Sequence, residues 1–463
     1  MLELVRTSDE PLGDQIVEGF GRMIAAGRLA GGVRLPSVRQ LARKLGVSVF
    51  TVVTSYDRLV ARGLIEPRHG AGFFVAARTG LSVPAPIESA GQPDTILGLA
   101  KGALGSPDIV VPAGSGFFPP GWLADAIPPS VTSRVIRRDS TSLKPSPPAG
   151  EPALREQLAL RLNHKGIRAG AANVLVTFGA SHAFDVIIRG LLAPGDAVLV
   201  EDPGYFVLFA QLQRWGLRLL PVPRGADGPD LDRLEILCRT NRPRAMFMQT
   251  LVHNPTGSNA TPATCHRLLA LAERYEFLIV EDDVYGDLAE DHELRLAEID
   301  EMRRVIHVGS MTKVLGPGLR VGFLAADPAM IERLVEVKIL SVLSGATLPE
   351  LLVAEVLESG RFRRHVEQLR RRLAKVRAIA AKVLRQSGVS LDRLPESGMF
   401  LWGRVGDHVD VDELVRAASA EGILLANGKL FRPTGDRSQH LRFNAGYASD
   451  PTLLRFLESA LAG

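Results

Sequence analysis

The chain has 463 residues, more than one hydrophobic core usually serves, so about three domains are expected. Apolar residues make up 46% and charged residues 23%, a globular balance that excludes a disordered or fibrous chain, and a net charge of +4 is too small to say anything by itself. The only cysteines, Cys238 and Cys265, lack metal-ligand spacing and form no disulfide framework, so no metal site is expected and a reducing compartment is.

The chain opens Met1-Leu2-Glu3-Leu4-Val5-Arg6, without an apolar signal core, and no apolar run approaches the roughly 20 residues a membrane span needs. A soluble cytoplasmic protein with no membrane partner is expected. Ile16, Phe20, Met23 and Ile24 then recur at helical spacing until Gly27. Ser37 caps a second short helix with Val38, Leu41, Ala42 and Leu45 on its apolar stripe. Gly46-Val47-Ser48 turns into a third helix, about 49–61, with Val52, Tyr56, Leu59 and Val60 facing inward. Leu64-Ile65 and Phe73-Phe74-Val75, separated by Gly70 and Gly72, read as a hairpin. Between positions 34 and 68 the basic residues Arg34, Arg39, Arg43, Lys44, Arg58, Arg62 and Arg68 face only Asp57 and Glu66. Helix, turn and helix followed by a hairpin is the arrangement that lays one helix in the major groove of DNA, although helical spacing alone also fits an ordinary three-helix unit.

The string Arg34-Leu35-Pro36-Ser37-Val38-Arg39-Gln40-Leu41-Ala42, then Leu45-Gly46-Val47-Ser48, Thr51-Val52 and Gly63-Leu64-Ile65 through Gly70-Ala71-Gly72-Phe73, resembles the winged helix-turn-helix of GntR-type transcription factors. The resemblance implies that Arg39, Ser48, Thr51 and the wing tip Arg68-His69-Gly70 touch double-stranded operator DNA. Where that family usually carries arginine after the turn serine, this chain has Val49, which can touch only a thymine methyl.

From Ala76 to about Pro112 the pattern dissolves into prolines and glycines, Pro84, Pro86, Gly91, Pro93, Gly98, Gly102, Gly105 and Pro107 among them. A flexible linker over 78–112, with a partly docked arm as the alternative, is expected between a DNA-binding domain, 1–77, and a larger domain, 113–463. Beyond residue 150, apolar runs alternate with helical patterns: Val174–Thr177, Ala197–Val200, Ala245–Met248, Phe277–Val280, Val305–Val308 and Val321–Ala325. Such alternation predicts an α/β domain with a mostly parallel sheet and helices on both faces, and a smaller α+β subdomain from about residue 345. A basic run, Arg361 to Arg385, carries Val366, Leu369, Leu373 and Val376 at helical spacing and reads as one long helix with a solvated face, a nucleic-acid contact being the alternative.

In open sheets of this kind ligands sit beyond the carboxyl ends of the strands, and polar candidates fall there in order. Gly179-Ala180-Ser181 follows the first run, Tyr205 the second, Asn254-Pro255-Thr256-Gly257 the third, Asp282-Asp283-Val284-Tyr285 the fourth and Ser310-Met311-Thr312-Lys313 the fifth, with Arg320 beyond. Singly these are a helix cap, a packing tyrosine, a turn, and a spacing that also suits a serine acyl-enzyme. Together they suit pyridoxal 5′-phosphate (PLP). Lys313 would form the Schiff base and move protons, and Asp282, or failing it Asp283, would keep the ring nitrogen protonated. Gly179, Ala180, Ser181, Ser310 and Arg320 would take the phosphate, Asn254 and Tyr285 the phenolate oxygen, and Tyr205 the ring face.

Residues 113–463 resemble the fold-type I, class-I aminotransferases, on Gly150-Glu151-Pro152-Ala153-Leu154-Arg155, Thr177-Phe178-Gly179-Ala180, Glu201-Asp202-Pro203-Gly204-Tyr205, His253-Asn254-Pro255-Thr256-Gly257, the two cofactor strings above and His440-Leu441-Arg442-Phe443. The resemblance implies that Arg442 clamps a substrate α-carboxylate beside Asn254, and that the protein is a homodimer. Pro145 stands where that family has an aromatic residue reaching the partner's cofactor. Both modules in one chain resemble the MocR group of regulators. The expected function is a PLP-dependent transcriptional regulator that senses an amino acid or amine, or PLP itself, through Lys313. The alternative is a working aminotransferase with a DNA-binding arm, since nothing essential to transamination is missing.

Overall fold

The computed structural model describes residues 4–6, 10–76, 94–138, 144–290 and 293–462. The chain forms two compact units, Met1–Ser89 and Ala90–Gly463.

In the first unit α1 (Leu12–Ala25), α2 (Val38–Leu45) and α3 (Val49–Ala61) precede a hairpin of β1 (Ile65–Arg68) and β2 (Gly72–Val75). Ser37 and Gln40 cap α2 reciprocally, and Gly46 ends it at φ +64, a conformation glycine adopts without strain. Ile16, Val17 and Phe20 of α1 bury against Val52, Tyr56 and Leu59 of α3. Tyr56 ties the unit together: its ring packs on Phe20 and Phe73 and its hydroxyl donates to the Pro36 carbonyl at 2.8 Å. Arg34 pairs with Phe74 as a β-bridge, joining the segment before α2 to the hairpin.

Residues 78–93 of the expected linker lie outside the described residues. Residues 94–112 correct the expectation of a flexible tether in favour of its alternative, an arm docked on the second unit. Thr95 caps α4 (Ile96–Ala103), and Leu99 is buried among Phe206, Trp402, Leu424 and Phe431. Val111 and Leu424 exchange backbone contacts, the Val110 and Val111 amides donating to Gly422 O and Leu424 N donating to Val111 O. Gly102 sits so close that a Cβ there would lie 2.6 Å from Leu424 Cδ1. A glycine that reads as looseness in the sequence is here a close-packing point.

The second unit continues with α5 (Pro129–Arg138), α6 (Pro152–His164), β3 (Val174–Thr177), α7 (Ala180–Leu191), β4 (Ala197–Asp202), α8 (Phe206–Arg214), β5 (Arg218–Gly225), β6 (Gly228–Pro229) and α9 (Leu231–Asn241). Then come β7 (Ala245–Met248), α10 (Pro262–Tyr275), β8 (Leu278–Asp282), α11 (Leu296–Asp300), β9 (Val305–Ser310), β10 (Gly322–Ala325) and α12 (Pro328–Val342). These strands form one sheet ordered β3-β10-β9-β8-β7-β4-β5-β6, parallel from β9 through β5, with β10 and the edge strand β6 antiparallel. Alternate residues face opposite cores: Val198 and Val200 pack under α7 and α8, Leu199 on the other side. Burial on both faces is why these strands read as unbroken apolar runs.

The chain ends with α13 (Thr347–Glu358), α14 (Arg361–Gln386), β11 (Ser390–Leu391), β12 (Phe400–Arg404), α15 (Val411–Ala420), β13 (Ala426–Asn427), β14 (His440–Asn444) and α16 (Pro451–Leu461). A small antiparallel sheet, β11-β12-β14-β13, anchors this part. The expected subdomain start near 345 is displaced, because α13 and the first half of α14, through Val353, Phe362, Val366 and Leu369, cover the large sheet. Of the buried residues of α14, Ala380 and Leu384 join the small sheet's core. Arg377 departs from the expected solvated face; it is buried and donates to the Gly398 carbonyl at 3.1 Å.

Candidate functional site

The carboxyl ends of β4, β7, β8 and β9 converge beside the point where the chain reverses its order across the sheet. A cavity of about 560 Å³, its open mouth included, is lined there by Ala180, Ser181, Tyr205, Asn254, Asp282, Tyr285, Ser310, Lys313 and Arg320. The ten expected cofactor residues come together apart from Gly179, which stands behind the wall. Gly179 begins α7 at φ +76 and ψ 174, and a Cβ there would approach Arg320 Nη2 to 2.9 Å. Only glycine lets the arginine lie across the first turn of α7.

Lys313 is half-buried, donates to the Gly116 carbonyl at 3.0 Å, and has its ammonium 4.4 Å from the Phe117 ring centroid and 5.3 Å from that of Tyr285. Burial, and next the Arg442 guanidinium, push its amine down to about 7. Asp282 accepts from Gln249 Nε2 at 3.0 Å and from the Val284 amide at 3.1 Å. Burial pushes its carboxyl up to about 7, the Val284 amide opposing and Asp283 adding to the rise. Asp283, the second candidate, points elsewhere: it pairs with Lys165 at 2.9 Å and Arg295 at 3.1 Å. Burial raises its pKa, but those two cations outweigh burial and hold it well below the carboxylate range.

Arg442 is buried and donates to Asn254 Oδ1 at 2.7 Å and to the Gly114 carbonyl at 2.6 Å, with the rings of Phe400 and Phe431 against it at 4.3 and 4.9 Å. Burial lowers its pKa to about 10. The Arg442 Nε and the buried Thr312 Oγ1 have no hydrogen-bond partner among the described residues, the state of polar groups kept for a ligand.

Sequence reasoning missed three parts of this site. Gln249 bridges it, its amide on Asp282 and its carbonyl accepting from the Asn254 amide at 2.7 Å. The loop 114–117 closes over it: a methyl at Gly116 would lie 3.6 Å from both Lys313 Nζ and Tyr285 Oη and 3.9 Å from Arg442 Nη2. Buried Glu201 accepts from the Gln249 amide at 2.8 Å and pairs with Arg224, which also donates to Ser258. Glu201 opens one of the strings read from the sequence, but its pairing with Arg224 carries no local signal, since the two lie more than twenty residues apart.

In the first unit Arg39 is exposed on the first turn of α2. Ser48 caps α3, accepting from Thr51 N at 3.0 Å, and the two hydroxyls lie 2.8 Å apart, so each is spent largely on the other. Arg68 is paired with Glu66 and lies over the Phe74 ring. His69 and Gly70 form the exposed hairpin tip.

Residues 114–459 match the family described as aminotransferase class I and II, and residues 12–75 that described as bacterial regulatory proteins, gntR family. The uncharacterized HTH-type transcriptional regulator YdcR of Escherichia coli (strain K12) is 30% identical, over 94% of this chain and 94% of its own length. The probable rhizopine catabolism regulatory protein MocR of Rhizobium meliloti is 30% identical, over 91% of this chain and 87% of its own. The chain belongs to the MocR-type regulators. Among solved structures this MocR-type chain is similar to LysN, the α-aminoadipate aminotransferase from Thermus thermophilus complexed with N-(5′-phosphopyridoxyl)-L-leucine. The TM-score is 0.72 at 29% identity, over 81% of this chain and 97% of that one.

A MocR-type chain of aminotransferase fold takes pyridoxal 5′-phosphate, and these residues fit that group. The fit rests on a lowered lysine, a buried carboxylate, an α-helix start backed by Arg320 and two orphaned polar atoms. Its gntR-family module is a DNA-binding domain. Among the described residues, no helix is long and apolar enough to cross a membrane, and no cluster of metal ligands occurs.

Proposed function

We propose that this MocR-type protein is a transcriptional regulator whose affinity for DNA is set by an amino compound, or by the cofactor itself, at Lys313. The observation that carries the reading is the placement of α4. Leu99 and Phe431 belong to one buried cluster, and Phe431 lies against Arg442, so the first described element after the DNA-binding unit joins the core that backs the carboxylate site. A ligand that shifts Arg442 has a packed route to the segment that leads to the DNA-binding unit.

When bound, the cofactor supplies an aldehyde for the amine and a ring that takes up electrons. Lys313 supplies the amine and holds or releases a proton at Nζ. Asp282, fixed by Gln249, would keep the ring nitrogen protonated. Ser181, Ser310, Arg320 and the amides that open α7 at Gly179 and Ala180 take the phosphate. Because Asn254 Oδ1 is held by Arg442, its amide nitrogen is left to donate to the phenolate oxygen, as Tyr285 Oη is. Tyr205 would cover the ring, and Arg442 would hold the α-carboxylate. In the DNA-binding unit, Arg39, His69, Gly70 and Arg68 contact the backbone or base edges, with Ser48 and Thr51 at the helix entry. A homodimer is part of the proposal, supported by the exposed apolar residues Leu340 and Leu343 at the end of α12.

A second reading, an aminotransferase that turns over, is favoured by the joined Asn254 and Arg442 side chains, which a sensor of cofactor alone has no use for. The two are separated by following the cofactor absorbance of purified protein with a panel of amino acids and amines, with and without a 2-oxo acid, against Lys313→Ala. A band shift ending at one equivalent, together with altered operator affinity, is expected. Sustained turnover would put the enzyme first, and a band that responds to no amine would leave the cofactor as the signal.

A further inference from the structure

The exposed face of α3 is apolar where a DNA-reading helix most often carries donors. Phe50 is 78% exposed, Val49 50% and Val53 38%, and positions 49, 50 and 53 share one side of the helix. Beside the hydroxyl of exposed Thr54, most of the other donors nearby are committed. Arg58, the only basic residue within α3, pairs with Asp14; Arg62, just after it, pairs with Glu18 at 2.8 Å; the Ser48 and Thr51 hydroxyls pair with each other. Exposed Asp57 puts a negative charge on the second half of the helix, which leaves its first half as the part that can approach phosphates. The same unit carries the exposed cations Arg39, Arg43 and Lys44 on α2 and Arg34 just before it, the charge complement of a duplex.

We propose that α3 reads DNA through thymine methyl groups, Val49, Phe50 and Val53 packing on adjacent C5-methyls in the major groove, rather than through arginine on guanine. The inference rests on the reading that this unit binds DNA. In the major groove only thymine offers a methyl, so apolar side chains discriminate A·T from G·C pairs by burial alone. The operator half-site then carries neighbouring thymines where α3 enters, and the cations of α2 add affinity without choosing sequence.

The test uses full-length protein with PLP and random duplexes of about 40 base pairs, room for two half-sites a few turns apart. The tightest selected duplex is remade with deoxyuridine in place of thymine, position by position; this deletes the methyl and keeps the hydrogen-bonding edge. The expected result is a selected site with paired thymines, about fourfold weaker for each methyl deleted, as ~0.8 kcal/mol per buried carbon gives. Phe50→Ala, a change at an exposed position, should bind alike the thymine and uracil duplexes at the one methyl that Phe50 covers, while the methyls under Val49 and Val53 keep their effect. Selected duplexes whose affinity ignores the methyl would overturn this inference and leave the DNA-binding reading standing. Phe50→Ala that alters the oligomeric state but keeps the methyl preference would overturn it too, by assigning the patch to a protein contact. Retention of no duplex would overturn the DNA-binding reading and this inference together.

Discussion

Lys313 is a lysine whose environment removes its usual charge. Its pKa falls from 10.5 to about 7, so between those values the unfolded chain holds a proton that the folded chain does not. Stability therefore rises with pH across that window and the buried charge costs the fold below it. Asp282, raised to about 7 from 3.8, acts with the opposite sign at lower pH: its contribution falls as pH rises from about 4 to about 7 and is flat above. Denaturant unfolding of cofactor-free protein should show wild type gaining on Lys313→Ala from about pH 7 to about pH 9. Equal slopes for both proteins would refute the lowered lysine. Loading of PLP should accelerate through the same midpoint, since only the neutral amine attacks. At Gly179 a side chain meets both a backbone region reserved for glycine and Arg320 at 2.9 Å. Gly179→Ala should cost about 1–3 kcal/mol by denaturant unfolding, with weaker cofactor retention as Arg320 is pushed aside.

At the scale of elements, α4 is the segment whose sequence misleads. Two of its eight positions are glycine, yet one of them, Gly102, is the contact with Leu424. Leu99→Ala removes the side chain that anchors the helix; a core Leu→Ala change costs about 2–5 kcal/mol, more than a helix of this length gains alone in water. The expected result is a cofactor band unchanged in position but a DNA affinity that no longer responds to ligand, measured by fluorescence anisotropy. If the ligand response survives in Leu99→Ala, the α4 route is wrong. Strand β5 was illegible for a different reason. Pro221, Pro223 and Arg224 break its apolar pattern, which is tolerable because its far side pairs only with the two-residue β6. The central strands β4, β7, β8 and β9 were legible because burial on both faces leaves no polar alternation to confuse.

For the whole molecule, DNA binding should be steeply salt-dependent, with a log–log slope near −0.9 per phosphate neutralised. Arg39→Ala should flatten that slope by about one per copy bound and weaken all duplexes alike, whereas loss of preference among duplexes would move Arg39 from the backbone to a base. The sequence by itself determined the two modules, the α/β architecture and the order of the cofactor residues, because each motif is a short string at the end of an apolar run and needs no distant partner to be recognised. It ranked Asp282 before Asp283 but kept both, since successive residues face opposite sides and the choice belongs to whichever side the cavity opens on. Nor could it show Gln249 between Asp282 and Asn254, Gly116 beside Lys313, or Leu99 in one cluster with Phe431. Those contacts were decided by the tertiary structure, because they join residues brought together by strand order and packing, for which the separation along the chain carries no trace.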